Sequence, residues 1–272
     1  MTEIAVKEPK KEIAVKHKFR ILDVWLTGIR FENAVREILS YTNDGKKHYI
    51  CVFAVESILC AHREKRLAAI ANRADMTLCD GTPLVWLGRF CAKLDITRCY
   101  GPDIMLQVMH DGCELGLKHY FYGGDCEDTV LQLEKKLRIK FPKINLVGHC
   151  VPPFKELTAD ERSVIVSDIN KSGADIVWVG IGTPKQDFWV GDFRDALDAP
   201  VLLAVGAAFN FHAGKVKQAP HWMMKIGLEW LFRLFAEPRR LWRRYILGNP
   251  YFVFLMIRQL LTGKPTKLGL RE

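Results

Sequence analysis

An aspartate that directly follows a short apolar segment is the residue with the clearest chemical potential. Asp80 comes after Met76–Cys79, which has the pattern of a buried strand, and precedes Gly81. At that position a carboxylate could act as a general base toward a hydroxyl nucleophile. Alternatively, Asp80 could cap the next helix, because Asp before Gly-Thr-Pro is a good N-cap. Spacing alone favours the capping role by about two to one.

Glycines follow two later apolar runs. Gly123 and Gly124 would let backbone N–H groups approach a phosphate, but a tight turn between a strand and a helix explains them equally well. Gly180 and Gly182 lack the third glycine of the dinucleotide-binding fingerprint. The incomplete pattern disfavours a nicotinamide-dependent oxidoreductase.

Charged and polar residues accompany these glycines. Pro184 suits the first turn of a helix, which would bring Lys185 and Gln186 to the same place, although Lys185 could also be a solvated surface charge. Arg98 could bind a phosphate or form a structural ion pair with Asp103.

The excess positive charge of the chain lies in its last fifth. Residues 214–272 hold 12 Lys or Arg and 3 Asp or Glu, a net charge of +9, whereas residues 1–213 hold 28 of each sign. Two aromatic residues, Trp242 and Tyr245, lie among four arginines: Arg239, Arg240, Arg243 and Arg244. This mixture is typical of an interfacial element that binds anionic lipid headgroups. A solvated helix face and a nucleic-acid-binding surface are the alternatives, and no known nucleic-acid motif supports the second.

Neither a metal site nor a transmembrane helix is predicted. The eight cysteines and eight histidines include no C-x-x-C pair and no H-E-x-x-H motif, and no signal peptide precedes them. We therefore expect buried thiols in a reducing cytoplasm and no metal. The most apolar segment, Tyr245–Leu261, contains Asn249-Pro250 and Arg258, and its longest apolar run is far shorter than the ~20 residues that span a bilayer.

The elements that position these residues are short apolar runs, which alternate with amphipathic segments. The predicted strands are Phe19–Val24, Tyr49–Val55, Met76–Cys79, His119–Tyr122, Asn145–Gly148, Asp175–Val179 and Val201–Val205. Ile58–Ile70 and Val130–Ile139 have helical periodicity, and Thr158–Glu161 is a capping box for a helix that ends before Gly173. The alternation predicts an α/β fold: a Rossmann-like, mainly parallel sheet with helices on both faces.

Ligands of such sheets bind at the carboxyl ends of the strands. Asp80, Gly123, Gly180 and the segment Gly206–Asn210 each follow a predicted strand. We therefore expect these four positions to meet at one edge of the sheet.

Several longer motifs occur in one order. They are Asp80-Gly81 with Pro83, Arg98 with Gly101 and Asp103, Gly180-x-Gly-x-Pro-Lys-Gln186, Gly206-x-x-Phe-x-Phe-x-x-Gly214, and Ala219-Pro220 followed by Gly227-Leu-Glu-Trp230, Arg233, Glu237-Pro238 and Arg239. Together, from about Phe19 to Phe254, they resemble the bacterial WecG/TagA/CpsF glycosyltransferase family (glycosyltransferase family 26).

The resemblance implies a metal-independent, inverting transferase that uses no cofactor. It would move a hexose or N-acetylhexosamine(uronic acid) from a UDP-sugar to a polyprenyl-diphosphate-linked saccharide in bacterial exopolysaccharide or cell-surface polysaccharide synthesis. Asp80 matches the proposed general base of the family, which reverses the odds from spacing. The residues implied in donor binding are Arg98, Gly101, Asp103, Gly123, Gly124, Gly180, Gly182, Pro184, Lys185, Gln186, Gly206, Phe209 and Asn210. Those implied at the acceptor or the membrane are Arg233, Arg239, Arg240, Arg243 and Arg244.

The sequence departs from the family pattern near the donor site. Val52-Phe53-Ala54 stands where the family often has Thr-x-Asn, Asn210 replaces a common Asp, Gln218 a common Arg and Asp187 a common Glu. N-acetylmannosamine, glucose and other hexoses therefore all remain candidate donor sugars.

The expected organisation is a disordered tail (1–18), a catalytic α/β domain (19–214) and a basic, aromatic helical appendage (215–272) that associates with a membrane. We expect a peripheral protein on the cytoplasmic face of the bacterial inner membrane, with no nucleic-acid partner and possible self-association through the apolar stripe of the appendage. The alternative is a catalytically inactive protein of the same fold that binds a membrane or nucleic acid through its basic segment.

Overall fold

The computed structural model of the protein describes residues 17–262 and 270–271. Of the segment predicted to be a disordered tail, His17 and Lys18 belong to the first strand, and residues 1–16 lie outside the described part of the chain. The described strands are β1 His17–Ile21, β2 Val24–Gly28, β3 His48–Phe53, β4 Met76–Cys79, β5 Lys118–Gly123, β6 Asn145–Cys150, β7 Ile176–Gly180, β8 Val201–Ala204 and β9 Leu270–Arg271.

Helices connect these strands and form the C-terminal region. They are α1 Phe31–Tyr41, α2 Val55–Arg63, α3 Lys65–Arg73, α4 Thr82–Trp86, α5 Gly101–Cys113, α6 Glu127–Lys140, α7 Ala159–Ser172, α8 Lys185–Phe193, α9 Ala208–Ala213, α10 His221–Lys225, α11 Glu229–Ala236, α12 Pro238–Trp242 and α13 Gly248–Thr262. Two π-helical turns, Leu87–Cys91 and Arg243–Leu247, continue α4 and α12. No described helix is long and apolar enough to cross a bilayer.

Six of the strands form the predicted parallel sheet, in the order β4-β3-β8-β7-β5-β6. Every residue of β3, β4 and β8 is buried, as expected for strands that are covered by helices on both faces. One apolar cluster lies on each face of the sheet, with Phe53 and Val179 in one and Ile50 and Trp178 in the other. The predicted α/β fold class is confirmed.

The first predicted strand was wrong in both extent and position. Instead of one strand over Phe19–Val24, β1 and β2 form an antiparallel hairpin outside the parallel sheet, with β9 paired to the other side of β1. The turn contains neither the glycine nor the asparagine that usually indicates a hairpin. Instead, Leu22 itself adopts the positive φ, of 52°. The Gln259 side chain of α13 stabilises this turn by accepting from the Leu22 N–H at 2.8 Å.

The segment Ile58–Ile70, which has one helical period, forms two helices. The chain leaves helical geometry at Glu64 (φ −120°, ψ 99°), where α2 ends and α3 begins. The Glu64 side chain caps α3 by accepting from the Arg66 N–H. The capping box at Thr158 and Glu161 and the end of α7 at Gly173 are confirmed.

A carboxyl side chain lies buried in the interior beside the sheet. Asp187, in the first turn of α8, is fully buried, and neither of its carboxyl oxygens has a hydrogen-bond partner within the described residues. It lies beside the Cys51 thiol of β3. Burial raises the pKa of Asp187 to about 8, so the folded protein holds this carboxyl in its neutral form below that pH.

The buried carboxyl should make stability depend on pH. The folded state binds this proton up to about pH 8, whereas an unfolded Asp releases it near pH 4. Stability from this group is therefore fully present below pH 4 and is lost, by about 1.4 kcal/mol per pH unit, as the pH rises through the window toward 8. We expect Asp187→Asn to remove this dependence in urea unfolding at pH 5, 6 and 7. Parallel wild-type and variant stabilities across that range would contradict the prediction.

Candidate functional site

The carboxyl ends of the parallel strands bring the predicted loops to one edge of the sheet. Gly124 donates its N–H to the carbonyl oxygen of Gly180 at 3.1 Å, which joins the ends of β5 and β7. A Cβ on Gly123, whose φ is +135°, would lie 2.6 Å from the Gly180 carbonyl. Only glycine allows these two strand ends to come so close. The first role of this glycine pair is therefore close backbone packing.

A large cleft of about 620 Å³ opens above this edge. Its walls come from the segments that follow β5, β6, β7 and β8 and from the C-terminal helices. The lining residues are Tyr122, Gly124, Asp125, Pro152, Pro153, Phe154, Lys155, Leu157, Gly180, Ile181, Gly182, Lys185, Trp189, Gly206, Ala207, Asn210, Val216, Arg233, Glu237 and Arg240. The cleft thus combines glycine backbone and cationic side chains with an apolar wall.

Several predicted donor-binding residues lie below the floor of the large cleft. Gln186 is 1% exposed, and a Cβ on Gly206 would lie 3.6 Å from its amide group. Phe209 is equally buried and packs against Gly180, where a Cβ would lie 2.8 Å from the ring. In the described structure neither side chain lines the cleft. Both therefore support its lining residues from beneath.

Two further residues implied in donor binding have roles in backbone packing or helix initiation. Gly101 begins α5 against Val205, where a Cβ would lie 3.0 Å from the Val205 carbonyl oxygen. Pro184 is the N-cap of α8, one position before the first turn predicted for it, and Lys185 follows it into the large cleft.

Asp80 lies in a separate small pocket of about 90 Å³. Its lining residues are Ala54, Val55, Glu56, Asp80, Gly81, Thr82, Pro83, Arg98, Gly227, Glu229, Trp230, Arg233, Arg244, Tyr245 and Asn249. Gly81, and not Asp80, is the N-cap of α4, and no side chain caps that helix. The structural alternative for Asp80 is therefore wrong, and its carboxyl is available for another role.

Arg98 connects Asp80 to the C-terminal helices. Its guanidinium lies 3.5 Å from Asp80 Oδ1 and 2.5 Å from Glu229 Oε2, the latter in the first turn of α11. Its Nε also donates to the Asp80 carbonyl oxygen, and its guanidinium carbon lies 4.2 Å from the centre of the Tyr100 ring. Of the two alternatives for Arg98, the structural ion pair is made with Asp80 and Glu229 and not with Asp103.

The surroundings of Asp80 shift its acidity. Burial raises the pKa of Asp80 to about 6, although attraction to Arg98 and Arg233 opposes the rise and repulsion from Glu229 adds to it. Oδ1 is buried and has no hydrogen-bond partner in the described structure, while the side chain as a whole keeps 24% of its surface exposed. A carboxyl with this pKa is largely ionised at neutral pH and still a competent proton acceptor.

Arg233 lines both the large cleft and the small pocket. It lies one helical turn after Glu229 on α11, so the ion pair of Glu229 with Arg98 also fixes the position of Arg233. Its guanidinium lies 5.5 Å from the centre of the Phe211 ring. A ligand in the large cleft could therefore contact the same cation that faces Asp80.

The other predicted arginines divide among different surfaces. Arg240 lines the large cleft and pairs with Glu237 at 2.5 Å, and Arg244 lines the small pocket. Arg239 and Arg243 are exposed. The structure thus does not bring the five arginines into one cluster.

Asp103 lies apart from the large cleft, in a side pocket of about 250 Å³. The side pocket is lined by Thr82, Val85, Trp86, Arg89, Arg98, Tyr100, Asp103, His221, Met224 and Lys225. It shares Thr82 and Arg98 with the small pocket. The small pocket of Asp80 therefore borders the large cleft at Arg233 and the side pocket at Thr82 and Arg98.

Comparison with known proteins shows to which family the chain belongs. Residues 19–266 match the family described as "Glycosyl transferase WecG/TagA/CpsF family". The chain belongs to this family. Among curated relatives, a protein of Bacillus spizizenii is 26% identical over 230 residues, which cover 85% of this chain and 87% of the relative. That relative is named N-acetylglucosaminyldiphosphoundecaprenol N-acetyl-beta-D-mannosaminyltransferase.

Sequence reasoning did not assign a role to two features of this WecG/TagA/CpsF glycosyltransferase. Glu229 lies four residues before Arg233, a spacing that places both on one face of a helix. Tyr122 and Trp189 stack at 4.2 Å in the wall of the large cleft, and no local motif marks them.

The described residues include no group of three His, Cys, Asp or Glu side chains with the arrangement of a metal site.

The coupling between Glu229 and Asp80 can be measured directly. Glu229→Gln removes a negative charge that raises the pKa of Asp80 and releases Arg98 from its second partner. We therefore expect the pKa of Asp80 to fall below 6 in a ¹³C NMR titration of aspartate-labelled protein, with Asp80→Asn used to assign the resonance. Glu237→Gln is the control, because Glu237 pairs with Arg240 and should leave that pKa unchanged. An unchanged Asp80 titration in Glu229→Gln would contradict the coupling.

Proposed function

We propose that this glycosyltransferase moves a hexose or N-acetylhexosamine(uronic acid) from a UDP-sugar to a polyprenyl-diphosphate-linked saccharide. The observation that carries the proposal is the half-buried Asp80 carboxyl, held by Arg98 in a small pocket that borders both the large cleft and the side pocket. The name of the Bacillus relative supports a lipid-diphosphate acceptor and an aminosugar donor. The proposed setting is cell-surface polysaccharide synthesis at the cytoplasmic face of the bacterial inner membrane.

Asp80 is the general base in this mechanism. The acceptor hydroxyl oxygen forms a bond to the anomeric carbon while the bond from that carbon to the UDP oxygen breaks. The hydroxyl proton passes to the Asp80 carboxylate, and the electron pair of the broken bond leaves with UDP. A single displacement of this kind inverts the anomeric configuration, and a pKa of about 6 suits the base to neutral pH.

The large cleft is the proposed donor site. Glycine backbone at the ends of β5, β7 and β8 allows a diphosphate to approach, and Lys185, Arg233 and Arg240 supply positive charge. These cations could stabilise the charge that develops on the leaving diphosphate without a metal ion. Phe154, which lines the cleft and is 83% exposed, offers an apolar surface for the nucleobase.

Departures from the family pattern affect the sugar end of this site. Ala54 lines the small pocket with a methyl group where the family often has an amide, and Val52 is buried. Asn210 lines the large cleft. These changes leave fewer polar groups for an N-acetyl substituent, so the donor panel should include glucose and other hexoses as well as N-acetylmannosamine.

The C-terminal helices are proposed to lie on the membrane. Phe254, Ile257 and Leu261 occupy one side of α13 and are 59%, 52% and 81% exposed. Arg243 and Arg258 are also exposed in this region. An apolar helix face accompanied by arginines is suited to an anionic bilayer surface.

Replacing the base should abolish transfer while leaving donor binding intact. With UDP-sugars and polyprenyl-diphosphate-linked acceptors in micelles, we expect Asp80→Asn to lower kcat by about 10²–10⁴-fold. Wild-type kcat/KM should rise with pH and reach half its plateau near pH 6, because only the ionised carboxylate accepts the proton. Acceptor-dependent UDP release that survives in Asp80→Asn would exclude this base. Absence of release from every donor, with lipid or nucleic acid still bound, would favour an inactive binding protein.

Membrane binding can be tested with vesicles that contain phosphatidylglycerol. We expect Phe254→Ser/Ile257→Ser to reduce co-sedimentation by about tenfold or more, because each apolar side chain contributes roughly 1.5–3 kcal/mol when buried. Leu131→Ser/Ile139→Ser is the matched control, since Leu131 and Ile139 are 50% and 71% exposed on α6. Equal losses in the two double variants would argue against a specific role of α13.

A further inference from the structure

The donor site and the membrane contact proposed above do not include the side pocket, although the family resemblance implies donor binding for two of its residues, Arg98 and Asp103. It lies between α4 with its π-helical turn and α10, and it joins the small pocket of Asp80 through Thr82 and Arg98. The large cleft reaches the small pocket at Arg233 instead. A second substrate could therefore approach Asp80 through the side pocket while a donor occupies the large cleft.

The chemistry of the side pocket suits an anion. Arg89 and Lys225 line it from opposite elements and are exposed, and His221 lies one turn before Lys225 on α10. Arg89 is held in place because its Nε donates to the Ile96 carbonyl oxygen at 2.7 Å. Arg89, held in this way, and Lys225 on α10 can both contact a diphosphate in a pocket of this size.

Large exposed apolar side chains lie on the same elements as the cationic residues. Trp86, which lines the side pocket, and Phe90, four residues later, are 46% and 76% exposed. Trp222 on α10 and Ile226, the C-cap of that helix, are 62% and 53% exposed. The two elements meet where Trp86 packs against Gly227, at which a Cβ would lie 3.2 Å from the indole ring. Exposed aromatic and aliphatic groups next to an anion site are suited to an amphiphile with an apolar chain.

Polar groups occupy the part of the side pocket near Arg98. Tyr100 stacks on Arg98, and Asp103 shares the pocket with both. Burial raises the pKa of Asp103 from its usual range, while Arg98 and His221 oppose that rise. A carboxylate in this position would repel a diphosphate but can accept hydrogen bonds from sugar hydroxyls.

We propose that the side pocket binds the acceptor, with its prenyl diphosphate at Arg89 and Lys225 and its sugar at Asp103 and Arg98. The first isoprene units would lie on Trp86, Phe90, Trp222 and Ile226. The acceptor hydroxyl then reaches Asp80 past Thr82 and Arg98, which the side pocket shares with the small pocket. This assignment rests on the proposed transferase function, and it gives the acceptor diphosphate to residues other than the C-terminal arginines implied by the family resemblance.

Binding of a soluble probe tests the side pocket independently of turnover. Geranylgeranyl diphosphate is titrated calorimetrically into the full-length protein with saturating UDP, which is intended to occupy the large cleft. We expect Arg89→Gln/Lys225→Gln to weaken binding by at least about tenfold, because two charge-assisted contacts are lost. Lys135→Gln/Arg138→Gln on α6 removes the same charge from an exposed surface outside the three cavities and should bind as wild type does.

Additional arms identify which part of the probe is bound. Phe90→Ser should weaken geranylgeranyl diphosphate but leave inorganic diphosphate unaffected, because Phe90 is assigned to the chain alone. Asp80→Asn should retain the probe. Wild-type protein that does not bind the probe, or equal affinity in wild type and Arg89→Gln/Lys225→Gln, would overturn the proposal. So would loss of phosphatidylglycerol vesicle binding in that variant with unchanged probe affinity, since the pocket would then contact bilayer lipid.

Turnover separates this inference from the function on which it rests. If wild type transfers sugar and Arg89→Gln/Lys225→Gln raises the acceptor KM about tenfold with the donor KM unchanged, both proposals are supported. Transfer with an unchanged acceptor KM would reject the side pocket and keep the transferase. Probe binding that needs Arg89 and Lys225, without transfer to any acceptor, would reject the transferase and keep the pocket as a prenyl-diphosphate site.

Discussion

The arrangement of the site depends on one buried cation, Arg98, between two carboxylates. Its contacts with Asp80 and Glu229 link the end of strand β4 to the first turn of α11. Without Arg98, two carboxylates that repel each other would share a half-buried pocket and lose the cation that attracts Asp80 most strongly. Arg98 therefore holds the C-terminal helices against the α/β domain and keeps Asp80 largely ionised at neutral pH.

Two consequences follow from that link. Glu229 and Arg233 lie on the same side of α11, so the ion pair that attaches the helix also places Arg233 between the large cleft and the small pocket. The pKa of Asp80 reflects a balance between burial, the attraction of two arginines and the repulsion of Glu229. Any movement of α11 would change that balance, and the position of α11 and the pKa of Asp80 are thus coupled.

The strand ends impose a second constraint, which is steric. Gly123 and Gly180 permit contacts that any side chain would prevent, and Phe209 fills the space beneath Gly180. Gly124, Gly180, Gly182 and Gly206 consequently contribute backbone to the lining of the large cleft. Buried side chains such as Gln186 support this lining from below. Residues that look like ligand contacts in the sequence can therefore act by fixing the shape of the cleft.

The distribution of charge differs from the simple division that the sequence indicates. The last fifth of the chain carries the net charge of +9, yet its arginines face three directions. Arg233 and Arg240 turn to the large cleft, Arg244 to the small pocket, and Arg239 and Arg243 to solvent. The arginines of the basic segment thus reach different surfaces, because successive turns of short helices point its side chains in different directions.

The sequence by itself determined the α/β class, six of the strands and the edge at which Asp80 and the glycine loops meet, because alternation of apolar runs and the carboxyl-end rule depend only on local pattern. It did not determine the hairpin of β1 and β2, since the positive φ of Leu22 is stabilised by Gln259 from the far end of the chain. Nor could it decide whether Asp80 caps a helix or is a candidate general base. Both roles share one local sequence, and the contacts with Arg98 and, through it, Glu229 that distinguish them join residues 18 to 149 positions apart, which only the tertiary structure brings together.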